Sequence, residues 1–214
     1  QTKEVDDSLA FSGARPVEWL LENAPVDGRW CLIHATHMTE TETRRMAKSG
    51  AVAGLCPITE ANLGDGIFPA PAFLGENGHY GVGSDSNILI SVPEELRTLE
   101  YSQRLSHRAR NVIADAGHST GEKLFRQALE GGGRALASPN GLESGKSADF
   151  VALDVSAVSY LPISQILDQW IFAGGVGVDS VWVRGKKRVQ AGRHIHRREI
   201  SDRFNKVMAE LLDS

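Results

Sequence analysis

Cysteine is scarce, with two residues in a chain of 214, which excludes a disulfide framework and points to a reducing, cytoplasmic compartment. Long apolar runs are missing: none nears the roughly 18 residues of a membrane-spanning helix. Positive charge is not in excess. Against 23 Lys and Arg stand 27 Asp and Glu, a formal net charge of −4, so the basic footprint of a nucleic-acid binder is absent. Repeats, low-complexity segments and flexible linkers are lacking too. What is there, 41% hydrophobic and 23% charged residues, is the composition of an ordinary globular protein. The start, Gln1-Thr2-Lys3-Glu4-Val5, has neither an initiator methionine nor the layout of a signal peptide, so the chain is expected to be the interior of a longer protein.

Through the first two thirds, strand-like apolar runs alternate with amphipathic stretches. Residues 30–35 are predicted to form a short buried strand, residues 51–56 a second, and residues 80–84 a third that ends at Asp85. Helices are expected over residues 16–23, with Pro16 in the first turn, and over residues 39–49, opened by Thr39 with Glu40 and Glu42 and closed by Gly50. Two more are expected over residues 93–110 and 121–137, the latter with apolar Leu124, Ala128 and Leu129. Residues 57–71, rich in Gly, Pro and Asn, read as a long loop, and residues 73–77 as a connecting turn. The alternation calls for a parallel sheet with covering helices. Three parallel strands cannot close a barrel and leave edges unpaired, so more strands are expected than the chain supplies.

The pattern changes after Pro139. A strand over residues 149–154, a hairpin over residues 181–190 turning at Gly185-Lys186, and a terminal amphipathic helix over residues 201–212 follow. The division expected is residues 1–138, residues 139–200 and residues 201–214.

Two polar residues end apolar strands: His34 and Asp85. In α/β sheets and barrels, ligands bind at that end, where βα loops converge. Alternation puts Asp85 on the face of Gly81 and Gly83, which leaves space beside the carboxylate. A carboxylate and an imidazole there suit a divalent metal, or acid–base work on a water. Taken singly, each reads more readily as a loop-capping Asp or a hydrogen-bonded His, since polar residues at strand ends are common. His37 reads as a helix-entry residue at the rim. His194-Ile195-His196 has the spacing of a metal pair on a strand, but the surrounding arginines repel a cation and a solvated segment is expected. His79, His107 and His118 carry no partner pattern. The loop over residues 59–69 either lines a substrate site or simply turns the chain. Gly131-Gly132-Gly133 follows a helix and is no phosphate loop. Cys31 and Cys56 read as small core residues rather than nucleophiles.

Leu32-Ile33-His34-Ala35-Thr36-His37, then Asn62-Leu63-Gly64-Asp65-Gly66, then Gly81-Val82-Gly83-Ser84-Asp85 resemble, in order and spacing, the deaminase branch of the amidohydrolase superfamily. Residues 141–154 and 181–186 are similar to that superfamily's closing strands. Within the branch, residues 56–70, residues 94–105 and Trp170-Ile171-Phe172-Ala173-Gly174-Gly175 resemble the formimidoylglutamate deiminase family of histidine degradation. The resemblance runs nearly the whole chain.

It implies an α/β fold: a metal-dependent (β/α)₈ TIM barrel with a small β-domain, of which this chain holds strands six to eight and the C-terminal part of the β-domain. The family's first-strand His-x-His pair, its fifth-strand His, its catalytic Glu and most contacts to the substrate's carboxylates are then expected upstream of Gln1. By position, Asp85 is the eighth-strand metal ligand, which also takes a proton from the attacking water and passes it to departing ammonia. His34 is the sixth-strand His that orients that water. One divalent metal ion, zinc in this branch, is implied. The reaction implied is hydrolysis of N-formimino-L-glutamate to N-formyl-L-glutamate and ammonia, by a cytoplasmic homodimer acting on a small molecule. These residues alone, without the N-terminal half, are expected to be inactive. The alternatives are a purine or pyrimidine deaminase of the same superfamily and a non-catalytic, barrel-derived binding module.

Overall fold

In the computed structural model, which describes residues 1–86, 89–138 and 140–213, the chain divides into two units. The first comprises Gln1–Asn140 and Leu161–Gly174, the second Gly141–Tyr160 and Gly175–Ser214. Pro139, where the sequence pattern changes, lies outside the described residues. Among the described residues, no helix is long and apolar enough to cross a membrane.

The first unit runs α1 (Thr2–Ser12), α2 (Pro16–Asn23), β1 (Cys31–Ile33), α3 (Glu40–Ser49), β2 (Val52–Leu55), α4 (Pro57–Leu63), α5 (Ala70–Gly75), β3 (His79–Val82), α6 (Val92–His107), α7 (Thr120–Ala135) and, after the second unit's first segment, α8 (Ile166–Phe172). Its sheet has the order β1-β2-β3 with both pairings parallel, Leu32 opposite Ala53 and Ala53 opposite Tyr80. The central strand is dry: Val52, Ala53 and Leu55 are fully buried, as a parallel strand covered on both faces requires.

The predicted caps of α3 are present. Thr39 accepts from the Glu42 amide while Glu42 Oε2 accepts from the Thr39 amide at 2.7 Å, and Gly50, at φ +81°, closes the helix in the left-handed region. Glu42 also accepts from Arg15 Nε at 3.0 Å and from the Glu18 amide at 3.2 Å, which ties α2 to α3. Helix α7 lies on β3 backbone to backbone. A Cβ built at Gly131 would overlap the Tyr80 carbonyl, and one at Gly81 would stand 3.1 Å from Gly132 Cα. The Tyr80 hydroxyl donates to the Leu124 carbonyl at 3.0 Å across the same contact.

Several sequence expectations are corrected. Residues 57–71 are not a loop: they hold α4 and the start of α5, and residues 73–77 include the end of α5. Pro57 starts α4 in the position proline favours, and Gly64 ends it at φ +70°. Strand β1 is not buried throughout, since it is a sheet edge and Ile33 is 58% exposed. Leu129 turns outward, about 100° around α7 from Ala128. The three consecutive glycines lie inside α7 rather than after it. Helix α1 was not foreseen; it buries none of its residues, and Val5 with Leu9 gives it only a short apolar stripe.

The second unit contains β4 (Phe150–Asp154), β5 (Gly177–Val183), β6 (Lys186–Gln190), β7 (Arg193–His194) and α9 (Arg197–Leu212). The strands form an antiparallel sheet in chain order. The hairpin turns at Arg184-Gly185, one residue before the expected place, with φ +49° and +73°. Two consecutive positive φ values match the right-handed twist of the flanking strands. Helix α9 begins four residues earlier than predicted, at Arg197.

Candidate catalytic site

The ends of the three parallel strands converge on one group of side chains. His34 directly follows β1, Cys56 directly follows β2, and Asp85 comes three residues after β3. His34 Nε2 lies 3.8 Å from Asp85 Oδ2, and the donor atoms of His34, Cys56 and Asp85 are all within 4.8 Å of one another. The chain leaves the sheet abruptly here. His34, Ala35 and Asp85 have φ of +63°, +51° and +50°, a left-handed backbone that costs non-glycine residues about 1–2 kcal/mol each. Such strain persists only where the surroundings over-determine it, and it clusters at functional sites.

Because β3 ends at Val82, Asp85 does not share a strand face with Gly81 and Gly83, contrary to the alternation argument. Gly81 instead makes room for α7, while the space at Gly83 is open. Beside the group lies a cavity of about 630 Å³, lined by His34, His37, Thr59, Leu63, Asp65 and Asp85 among others. That is ample for a small metabolite.

Helix α4 supplies what the sequence reading left unassigned. Glu60 is 4% exposed, and its Oε1 accepts from the Cys56 amide at 3.0 Å and lies 3.2 Å from His34 Nδ1. Thr59 Oγ1 donates to the Ser84 carbonyl at 3.3 Å, which joins α4 to the turn bearing Asp85. His37 is not the entry residue of α3, whose cap is Thr39. It lines the cavity; its carbonyl accepts from the Arg15 guanidinium, and its buried Nε2 has no partner. His194 and His196 form no ligand pair: the His196 amide donates to His194 Nδ1 at 3.2 Å. His118 does have a partner, Asp115, 3.1 Å away.

Burial, aided by the Glu60 and Asp85 carboxylates, pushes the Cys56 thiol up to about 12, so it is no nucleophile near neutrality. Burial also raises the Glu60 carboxyl. Behind it, on α6, Glu95 is 2% exposed; Oε2 accepts from the Ile58 amide at 2.9 Å and Oε1 is unpartnered. Burial, with Glu60 adding, pushes Glu95 from 4.5 up to about 7. The unfolded chain ionises first, so this group's stabilisation is full below about pH 4.5 and is lost as pH rises through about 7. Glu95→Gln in the full-length protein is therefore expected to flatten the pH dependence of stability between about pH 5 and 8. It should make the protein more stable than the parent at about pH 8, by roughly 2 kcal/mol. Urea melts across that range check it, and a variant no more stable at the alkaline end refutes it.

The model of the amidohydrolase family matches residues 2–188, and the chain belongs to that family. It is 50% identical to formimidoylglutamate deiminase of Pseudomonas aeruginosa over 219 residues, an alignment covering all of this chain and 48% of that protein. A solved amidohydrolase from Brucella melitensis is 57% identical with a TM-score of 0.97, covering 99% of this chain and 48% of the other. An adenosine deaminase from Xanthomonas campestris, solved with bound zinc, is 28% identical with a TM-score of 0.79, over 96% of this chain and 49% of that one. The chain thus spans about half the length of the curated relative and of the solved structures it matches.

Proposed function

We propose that the chain is the C-terminal part of a metal-dependent formimidoylglutamate deiminase. In this reading the first unit, Gln1–Asn140 and Leu161–Gly174 rather than the expected residues 1–138, supplies barrel strands six to eight with their helices. The second, Gly141–Tyr160 and Gly175–Ser214, supplies the C-terminal part of a small β-domain with the terminal helix from Arg197. The observation that carries it is the 50% identity to such a deiminase along the whole chain.

The donor chemistry fits a divalent ion. A carboxylate and an imidazole, with a thiol beside them, bring their donor atoms within 4.8 Å of one another at the strand ends, and such nitrogen and oxygen donors suit zinc. Asp85 is the metal ligand assigned to this chain, the other protein ligands belonging to the missing half. When bound, the ion supplies Lewis acidity that brings the pKa of water from near 16 to about 7. Asp85 accepts a proton from the attacking water and delivers it to the departing nitrogen. His34, through Nε2, hydrogen-bonds that water and then the tetrahedral centre. Water adds to the formimino carbon, the C–N bond to the terminal nitrogen breaks, and N-formyl-L-glutamate and ammonia leave. The setting proposed is a cytoplasmic homodimer.

A ring deaminase is the second reading, favoured by the 28% identity to an adenosine deaminase. Turnover of N-formimino-L-glutamate and of adenosine, measured side by side on the full-length metal-loaded protein, separates the two. The amidine is expected to be the better substrate by orders of magnitude; preference for adenosine overturns the proposal.

A further inference from the structure

We propose that Glu60 is a positioning residue that keeps the proton of His34 on Nδ1 and turns Nε2 to Asp85. One oxygen does this. Glu60 Oε1 lies 3.0 Å from the Cys56 amide nitrogen and 3.2 Å from His34 Nδ1. A backbone N–H can only donate, so Oε1 is an acceptor there, and the same oxygen accepts again from the imidazole. With Glu60 ionised, or protonated on its other oxygen, the proton of that second bond sits on Nδ1.

The carboxyl group has little freedom to do otherwise. Glu60 is 4% exposed, and the amide it grips is the junction between β2 and α4. With Nδ1 held, Nε2 faces Asp85 Oδ2 at 3.8 Å. A half-turn of the ring would break the Glu60 bond and present carbon instead. A histidine whose second nitrogen is fixed in this way has a defined tautomer and direction. What Nε2 then does rests on the deiminase reading; the position of the proton does not.

The test is the ¹⁵N spectrum of histidine-labelled full-length protein, with His34 assigned by loss of its signals in His34→Asn. Protonation at Nδ1 is expected in the parent and in Glu60→Gln, whose amide oxygen keeps both acceptor bonds. A proton confined to Nε2 overturns the proposal. In turnover, Glu60→Ala should lose about a hundredfold in kcat with KM held within about threefold, while Glu60→Gln stays within about fivefold of the parent. Equal losses in the two variants, or no loss in Glu60→Ala, also overturn it. If Glu60→Ala does not fold, the parent and Glu60→Gln spectra still decide. They need no substrate, so a wrong assignment of the reaction shows separately, in the turnover assays.

Discussion

Replacing Asp85 by Asn in the full-length protein is expected to lower kcat/KM by roughly a thousandfold or more and to weaken metal retention by about tenfold or more. The substitution is nearly isosteric, and its effects are chemical. An amide oxygen has no net charge to hold a divalent ion and no basicity to receive a proton from water. The fold should not notice. The Asp85 side chain is 37% exposed, and its φ of +50° suits Asn as well as Asp, so stability should stay within about 0.5 kcal/mol. Metal content after dialysis, a melt and turnover on one preparation test the three parts together. Undiminished function in the variant would sink the deiminase reading in favour of a binding module that kept the barrel's shape.

Gly131→Ala is expected to destabilise the protein by about 3 kcal/mol or more, whereas Gly132→Ala next to it should stabilise by a few tenths to about 1 kcal/mol. Both lie inside α7, where alanine is the better helix former. They differ only in what their new methyl groups meet. At Gly131 it would overlap the Tyr80 carbonyl of β3, backbone that cannot swing aside; at Gly132 nothing lies within 4 Å. Helix propensity is worth less than 1 kcal/mol, so the clash decides the sign at the first position and propensity at the second. Denaturation midpoints of the two variants check this, and similar values for both would show that α7 does not touch β3 as described. Moving α7 off β3 would also disturb the strand that leads to Asp85.

The parallel sheet was legible because its signals are local. Apolar runs of strand length, Thr39 with Glu42 before a helix, Gly50 after it and Pro16 at a first turn all act within a few residues. His34 and Asp85 were legible as strand-end residues, and the structure brings them within 3.8 Å of each other. Helices α4 and α5 were not, because they are short and interleaved with glycine and proline. What holds α4 comes partly from elsewhere: the Ile58 amide is met by Glu95 from α6, 37 residues away. Cys56 looked like core packing, and it is buried, but its sequence does not show that its sulfur stands beside His34 and Asp85. Glu60 was visible only as one carboxylate in a polar stretch. Its importance appears once the helix returns its side chain to the strand end.

His34 and Cys56 directly follow β1 and β2, and Asp85 stands three residues beyond β3, while much of the cavity wall comes from the connections between strands. Among the described residues, α4 alone of these connections is tied to the reactive groups, through Glu60 to His34 and through Thr59 to the turn bearing Asp85. Such an architecture is modular in evolution. Wall segments other than α4 can be exchanged, and specificity redrawn, while the groups that do the chemistry stay on their mounts.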